Sequence, residues 1–567
     1  MPTYFEALYD AVVDPSQDRH WHQQYDEARR RADARAARVR EGHPIDPADE
    51  DDKRLLRDLV YTNSNGIASL RLSMLSEENF NKLLGDAAFI AAVNAYAGNP
   101  GPDTYRVLFD SWKQASKDKG FDFTRAKANR FAAAFTDDVS TTADPTKFDQ
   151  VYLWFSSHGL LGPHGAEPEG WYEKNVLLVE SLRGHFSDRL TAGKTDRRWL
   201  NMFVWFVWDR VVNDPFRLKK QVVKYGPPGT GKTYSAREDA KREIALWRAE
   251  LELADDVWTP ERLCKTVQFH PAFGYEDFIE GLRPAKTGSD EYRLRLVNGV
   301  FKSFCKEAGR WEVDLAGLDG GAGPRPTPDD PASALSPRRD ELLARGEHWR
   351  FVFDLLARDG GRFGRKPIRE LLPPHFLIID EINRAELSRV FGELMYCLEY
   401  RGAGGAVATQ YAMLNTEVDA MLWTPQGAKF FVPGNLYLVG TMNTIDRSVE
   451  SFDFALRRRF HWQHVEPDEA VAREYLQSDA CPNKDWANGL LEGWRKLNGL
   501  IENERRYMGP DHRIGHGYLM NLRYGAHRTV SDVRKALWED SIGPLVEEYL
   551  RGTEESAEPY RKAFVGA

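Results

Sequence analysis

Gly226-Pro227-Pro228-Gly229-Thr230-Gly231-Lys232-Thr233 has the residue types and spacing that hold a phosphate, matching G-x-x-x-x-G-K-[ST]. Glycines let consecutive backbone N–H groups turn onto a β-phosphate with no Cβ in the way. Lys232 then reaches the β and γ oxygens, and the Thr233 hydroxyl is suited to Mg2+. Val222-Val223-Lys224-Tyr225 before the loop reads as a strand, and the residues after it read as a helix, whose positive end adds to the pull on the anion. The order of strand, glycine loop and helix implies a nucleoside-triphosphate site.

Two later stretches end apolar runs in polar groups. Phe376-Leu377-Ile378-Ile379 runs into Asp380-Glu381, as expected of a central parallel strand that is apolar throughout and functional at its carboxyl end. Asp380 is expected to hold the Mg2+ water shell, and Glu381 to polarise the attacking water. Leu436 to Met442 similarly leads to Asn443, which reads either as a loop cap or as the amide that orients that water between Glu381 and the γ-phosphate. Further on stand Arg457, Arg458 and Arg459. Three successive arginines are costly to bury, so at least one needs an anionic partner. That partner is either a set of local acids or the γ-phosphate of a neighbouring subunit, reached as a trans finger. Arg458 is the first choice for the finger.

The chain that positions these groups has 567 residues, a length suited to two to four domains. A net charge of −9 argues against a wholly basic nucleic-acid coat. Cys264, Cys305, Cys397 and Cys481 lie far apart with no C-x-x-C pair, which suggests a reducing compartment. The most apolar run, Met202 to Trp208, is too short for a bilayer, and a cytoplasmic protein without membrane contact is expected. Residues 1–60 are charged and helical, with Arg29, Arg30, Arg31, Arg35, Arg38 and Arg40 ahead of Asp49 to Asp52. They read as a solvated helix balanced by the acids behind it, or as a helix that touches DNA phosphates. Residues 61–161 read as an α-helical module for target sensing or assembly, with Ser76 as a helix cap. Residues 162–213 read as a connector plus an aromatic helix docked on the nucleotide domain. That domain is expected over 214–465, with a Pro/Gly-rich surface insertion at 313–346. A helical lid over 466–551, with Trp494, Leu497, Leu500 and Ile501 on one face, and a frayed tail over 552–567 complete the chain. The expected fold class is α/β: a parallel P-loop sheet between helices, a C-terminal helical lid and a mainly α-helical N-terminal domain.

Together, the phosphate loop, the D-E strand end, the polar strand end and the late arginines resemble an AAA+ module. Finer wording over about residues 200 to 550 closely resembles McrB, the motor subunit of modification-dependent restriction systems. The likeness is carried by Val267-Gln268-Phe269-His270, by Tyr275 to Gly281 with Arg283-Pro284, and by Ile379-Asp380-Glu381-Ile382-Asn383-Arg384-Ala385. Met442-Asn443-Thr444-Ile445-Asp446-Arg447-Ser448 matches the family's M-N-T-x-D-R-S signature, and Ile514-Gly515-His516-Gly517-Tyr518 looks like its lid. The resemblance implies a hexameric ring motor that uses Mg2+ with GTP, or with ATP. It also implies Asp446 and Arg447 as nucleotide-site residues, DNA reached through the complex, and a separate McrC-like nuclease subunit. Asn443 to Asp446 is similar to the guanine-reading N-K-x-D of small GTPases, where a carboxylate accepts both N1–H and N2–H. GTP is nevertheless implied by family likeness and not by a base contact. Residues 61–160 look like the helical segment of some McrB relatives, not like the methylcytosine-binding domain of the best-known member. The sequence carries no convincing D…E-x-K constellation, so this chain is not expected to cut DNA itself. The competing reading is a MoxR- or dynein-related AAA+ ATPase that remodels protein complexes.

Overall fold

A computed structural model describes residues 4–13, 15, 18–62, 65–68, 75–161, 168–253, 258–287, 291–318, 335–358, 368–445, 454–504, 506–520 and 522–566. The chain forms two compact units, Met1–Asp214 and Pro215–Ala567. Among the described residues no helix is long and apolar enough to cross a membrane, and all four cysteines are free.

The first unit is helical throughout its described residues. Short polar side chains start its helices as the sequence predicts. Ser76 accepts from the Asn79 amide, and Asp86 and Asp144 cap in the same way. The basic helix Arg19–Arg40 turns several of its charges on the fold itself. Arg29 is buried and donates to Asp137 at 3.1 Å and to Asp33 at 2.9 Å. Arg35 donates to Asp52 at 2.7 Å and to the His43 carbonyl at 2.8 Å. These side chains are staples between segments, because a buried guanidinium must be paired and hydrogen-bonded to be tolerated.

The aromatic helix expected to dock on the nucleotide domain instead belongs to this first unit. Residues 171–207 hold the helices Trp171–His185, Ser187–Thr191 and Arg197–Val207. Phe203 lies 5.3 to 5.9 Å from the rings of Tyr9, Phe155 and Phe186. Its partners come from distant parts of the same unit, which no linear reading of an apolar stripe can supply. The expected connector is therefore core.

Among its described residues the second unit has nine strands: β1 Gln221–Gly226, β2 Cys264–Gln268, β3 Glu280–Thr287, β4 Glu291–Asn298, β5 His375–Asp380, β6 Leu422–Thr424, β7 Gly427–Lys429, β8 Leu436–Asn443 and β9 His461–His464. Five form one sheet in the order β2-β5-β8-β1-β9, every pair parallel. Successive side chains point to opposite faces. Val222, Phe376, Ile378 and Val439 accordingly meet Ala236, Ala240 and Ile244 of the helix Lys232–Glu250. Val223, Leu377, Ile379 and Leu438 meet Phe278, Phe301 and Phe391 on the other side. A sheet covered on both faces explains strands that are apolar without alternation. Antiparallel hairpins β3–β4 and β6–β7 stand apart from it.

The insertion is more ordered at its flanks than a surface loop. Helices Arg310–Leu318 and Arg339–Arg345 bury Trp311 and Leu342 with Trp349 in a cluster of their own. Of the glycine and proline positions of that expectation, Gly317 lies in the helix Arg310–Leu318, and Gly320 to Pro331 lie outside the described residues.

The lid gathers Trp494, Leu497, Ile501 and Val546 into one core. Leu500 is not in it; it stands 44% exposed, since its place on the helix turns it away from the face that 494, 497 and 501 share. The expected frayed tail is also corrected. Glu558–Val565 is a helix whose Tyr560 and Phe564 enter the lid core, and a Cβ on Gly493 would come within 2.5 Å of the Phe564 carbonyl oxygen. Phe564 is fully buried, so Phe564→Ala is expected to cost about 3–5 kcal/mol. Denaturant unfolding measures this, and a loss below about 0.5 kcal/mol would return the segment to a tail.

Candidate active site

The phosphate loop leaves β1 at Gly226 and enters the helix Lys232–Glu250 through Gly231. Gly229 and Gly231 hold φ of +72° and +70°, the left-handed region that glycine adopts without steric cost. A Cβ on Gly226 would lie 2.4 Å from the Val465 carbonyl oxygen, so the strand end has no room for a side chain. The Lys232 ammonium donates to the Pro227 carbonyl at 2.6 Å and to that of Gly226 at 3.1 Å. Thr230 donates to Pro227 at 3.0 Å. One pocket is lined by the loop from Pro228 to Tyr234 together with Asp380, Glu381, Thr441 and Asn443.

Neighbouring strands deliver those polar groups. β5 lies beside β8, with Ile379 opposite Gly440, so Asp380-Glu381 and Thr441 to Asn443 leave the sheet side by side. A Cβ on Gly440 would come within 2.7 Å of the Ile382 side chain, and its absence lets the turn after β5 close over β8. One Asp380 oxygen accepts from the Thr233 hydroxyl and from the Thr441 hydroxyl, each at 2.6 Å. Asn443 Nδ2 donates to Glu381 at 3.2 Å, and Arg384 Nε stands 3.3 Å from the second Glu381 oxygen. Glu381 itself sits at φ +53°, an uncommon conformation for a side-chain-bearing residue that tends to mark functional sites. The turn swings its carboxylate out of the strand line and between two donors. Thr233 and Asp380 offer a hydroxyl and a carboxylate close together, hard oxygen donors that fit Mg2+.

The lid contributes a strap. The Gly515 and Gly517 amides donate to the carbonyls of Pro228 at 3.1 Å and Gly229 at 2.7 Å. A Cβ on Gly515 would stand 2.2 Å from the Gly229 carbonyl carbon, and one on Gly229 would stand 2.7 Å from the Tyr518 ring. Only glycines permit this approach of two backbones. His516 is buried, and its Nδ1 accepts from the Asp468 amide at 3.0 Å.

Arg457, Arg458 and Arg459 sit at the other end of the sheet. They precede β9, which begins opposite Val222, and the Arg459 carbonyl accepts from Gln221 at 2.8 Å. The six residues of β1 from Gln221 to Gly226 place roughly 17 Å between this corner and the loop, beyond the span of one arginine side chain. Arg459 is tucked against Glu399 at 3.1 Å, and the Arg457 guanidinium lies 5.0 Å from the Trp462 ring. Arg457 and Arg458 are both exposed, the Arg458 side chain at 67% and 3.6 Å from Glu399, against 13% for Arg459. Asp446 and Arg447 lie outside the described residues.

The structure thus brings Thr233, Asp380, Glu381 and Asn443 together, and leaves the arginines apart from them. Sequence reasoning missed Thr441, Arg384 and the strap. Thr441 shares a strand face with Asn443 two residues on, a signal in plain view. Arg384 and the strap stand in stretches that carried the family likeness, but their roles at the site did not show, because a loop turn and a contact across 286 positions set them.

Two family models match the chain: "McrB, alpha-helical lid domain" over residues 490–558 and "AAA domain (dynein-related subfamily)" over residues 333–460. The chain is 30% identical over 338 residues to the Type IV methyl-directed restriction enzyme EcoKMcrB subunit of Escherichia coli (strain K12), covering 59% of this chain and 54% of that protein. It is 22% identical over 299 residues to the Type II restriction enzyme BsuMI component YdiS of Bacillus subtilis (strain 168), covering 51% of this chain and 69% of that one. The chain spans about half the length of the first relative. A parallel sheet that ends in a phosphate loop, a D-E pair beside a polar strand end and a helical lid give the chain an α/β AAA+ fold, and these matches make it similar to McrB.

Proposed function

We propose that this chain is the nucleoside-triphosphate-hydrolysing motor of a restriction complex that acts on DNA, driven by GTP in preference to ATP. Its active form is a ring, most simply a hexamer, and a separate McrC-like subunit carries the nuclease. The observation that supports hydrolysis, and not binding alone, is the Asn443–Glu381 hydrogen bond beside the Thr233–Asp380 pair. Glu381 accepts the proton of the attacking water, while Asn443 and Arg384 hold its two oxygens in place. Lys232 moves from the loop carbonyls onto the β and γ oxygens. Mg2+, held through Thr233 and Asp380, supplies charge neutralisation on the phosphates. Arg458 of one copy completes the site of the next, at the γ-phosphate. Asp446 and Arg447 belong to the nucleotide site by their place in the signature after Asn443.

GTP, the ring and the nuclease partner rest on likeness to McrB, and the helical first unit is the proposed reader of the target. The dynein-related match over 333–460 favours one second reading, an AAA+ ATPase that remodels protein complexes. Turnover of GTP and of ATP by the purified chain, with and without the product of the adjacent gene, separates the two. The expected result is GTP hydrolysis that rises when a D…E-x-K protein encoded next door is added. ATP hydrolysis with GTP ignored would contradict the nucleotide assignment, and a neighbour with a von Willebrand-type metal-binding domain would favour remodelling.

A further inference from the structure

A second cavity of the same unit takes no part in the chemistry proposed above. It encloses about 1040 Å3, against about 280 Å3 for the pocket at the phosphate loop. Among the described residues its lining holds four cations, Lys306, Arg310, Arg345 and Lys429, and one carboxylate, Glu417. A chain of net charge −9 thus gathers a local positive excess in a concave wall, an arrangement that concentrates anions. The cations come from four elements: the helices Val300–Ala308, Arg310–Leu318 and Arg339–Arg345, and strand β7. Two of them are engaged by the fold. Lys306 donates to the Val418 and Asp419 carbonyls at 2.7 and 3.0 Å, and Arg345 lies 3.6 Å from Glu341. Arg310, which is exposed, and Lys429 make no hydrogen bond or ion pair with any described residue. The Trp423 ring, 45% exposed, belongs to the same wall. Bases stack on such a ring while guanidinium and ammonium groups track the phosphates of a strand. A free nucleotide carries its charge at one point, whereas cations spread over four elements fit charges spaced along a chain. An acidic peptide answers the cations but leaves the indole without a flat partner.

We propose that this cavity holds a segment of single-stranded nucleic acid, with a base on Trp423 and phosphates on Arg310, Arg345 and Lys429. The site is separate from the phosphate loop and does not depend on which triphosphate fills that loop. It gives the nucleotide-binding unit a grip on a strand of its own, apart from whatever the helical first unit reads.

A short DNA strand carrying 5-iodouracil, irradiated with the full chain and mapped by mass spectrometry, reads the site directly. We expect a crosslink at Trp423. Its yield should fall at least about tenfold when Arg310→Glu and Lys429→Glu are combined, with thermal melts and triphosphate turnover without DNA showing that the variant is folded. Three competitors identify the ligand class. Excess unlabelled strand should abolish the crosslink, whereas uridine monophosphate at the same nucleotide concentration, or polyglutamate of equal charge, should leave most of it. No crosslink at Trp423, or a yield that ignores both charge reversals, would overturn the inference. So would displacement by uridine monophosphate as complete as by the strand, which would make the ligand a free nucleotide. Equal displacement by polyglutamate would do the same, and would mark the cavity as a seat for an acidic protein. None of these readouts requires turnover, so a failure here leaves the reading of the phosphate loop untouched.

Discussion

Glu381→Gln is expected to lower triphosphate turnover by about 10²–10⁴-fold while nucleotide affinity stays within a few-fold. The amide keeps the shape of the side chain and an oxygen to accept from Asn443, so the turn after β5 has no reason to move. What it loses is the capacity to take a proton from water. The unusual backbone conformation at position 381 supports this division of labour, since strain at one residue is retained where it aims a functional group. Rapid-mix turnover together with equilibrium binding makes the distinction. A variant that hydrolyses within about tenfold of the original would show that Glu381 is not the base.

Arg458→Ala carries the second large effect, a loss of about 10³-fold or more in the turnover of the assembled particle, with little change in the affinity of a single subunit. The argument is one of reach. The arginines sit at the amino end of β9, level with Gln221, whereas the phosphates lie beyond the carboxyl end of β1. No arginine of the cluster spans that length of sheet to its own loop. Arg459, 13% exposed, is held by Glu399 and Arg457 lies against Trp462, whereas Arg458, 67% exposed and 3.6 Å from Glu399, is free enough of the surface to serve as the proposed finger. Arg459→Ala should therefore cost stability at the Glu399 corner and less of the chemistry. Turnover of the two variants at equal particle concentration tests this ranking.

Much of the second unit was legible because its signals are local. A strand, three glycines and a helix fix the phosphate loop within a dozen residues, and Asp380 and Asn443 each end an apolar run that only a buried strand explains. The first unit resisted reading for the opposite reason. Phe203 finds Tyr9, Phe155 and Phe186, and Arg29 finds Asp137, across sequence distances that periodicity does not encode. The same limit hid the lid strap. Gly515 and His516 are meaningful only once the Pro228 and Gly229 carbonyls are seen to lie against them. Polar composition made the last residues look like a tail, yet Tyr560 and Phe564 suffice to fasten a helix to the lid core. Even the helical face was only partly right, because Leu500 sits next to Ile501 in sequence and about 100° from it around the helix.

The claim on which the motor reading depends is that one copy supplies the loop and its neighbour the arginine. Lys232→Ala lacks the cation that reaches the β and γ oxygens, and Arg458→Ala lacks the proposed finger, so each alone should be inactive. Mixed in equal amounts and assembled, they should recover roughly a quarter of the original rate, because half the loops are intact and half of those face an intact arginine. A mixture as inactive as either variant alone, in particles shown to contain both, would contradict the account.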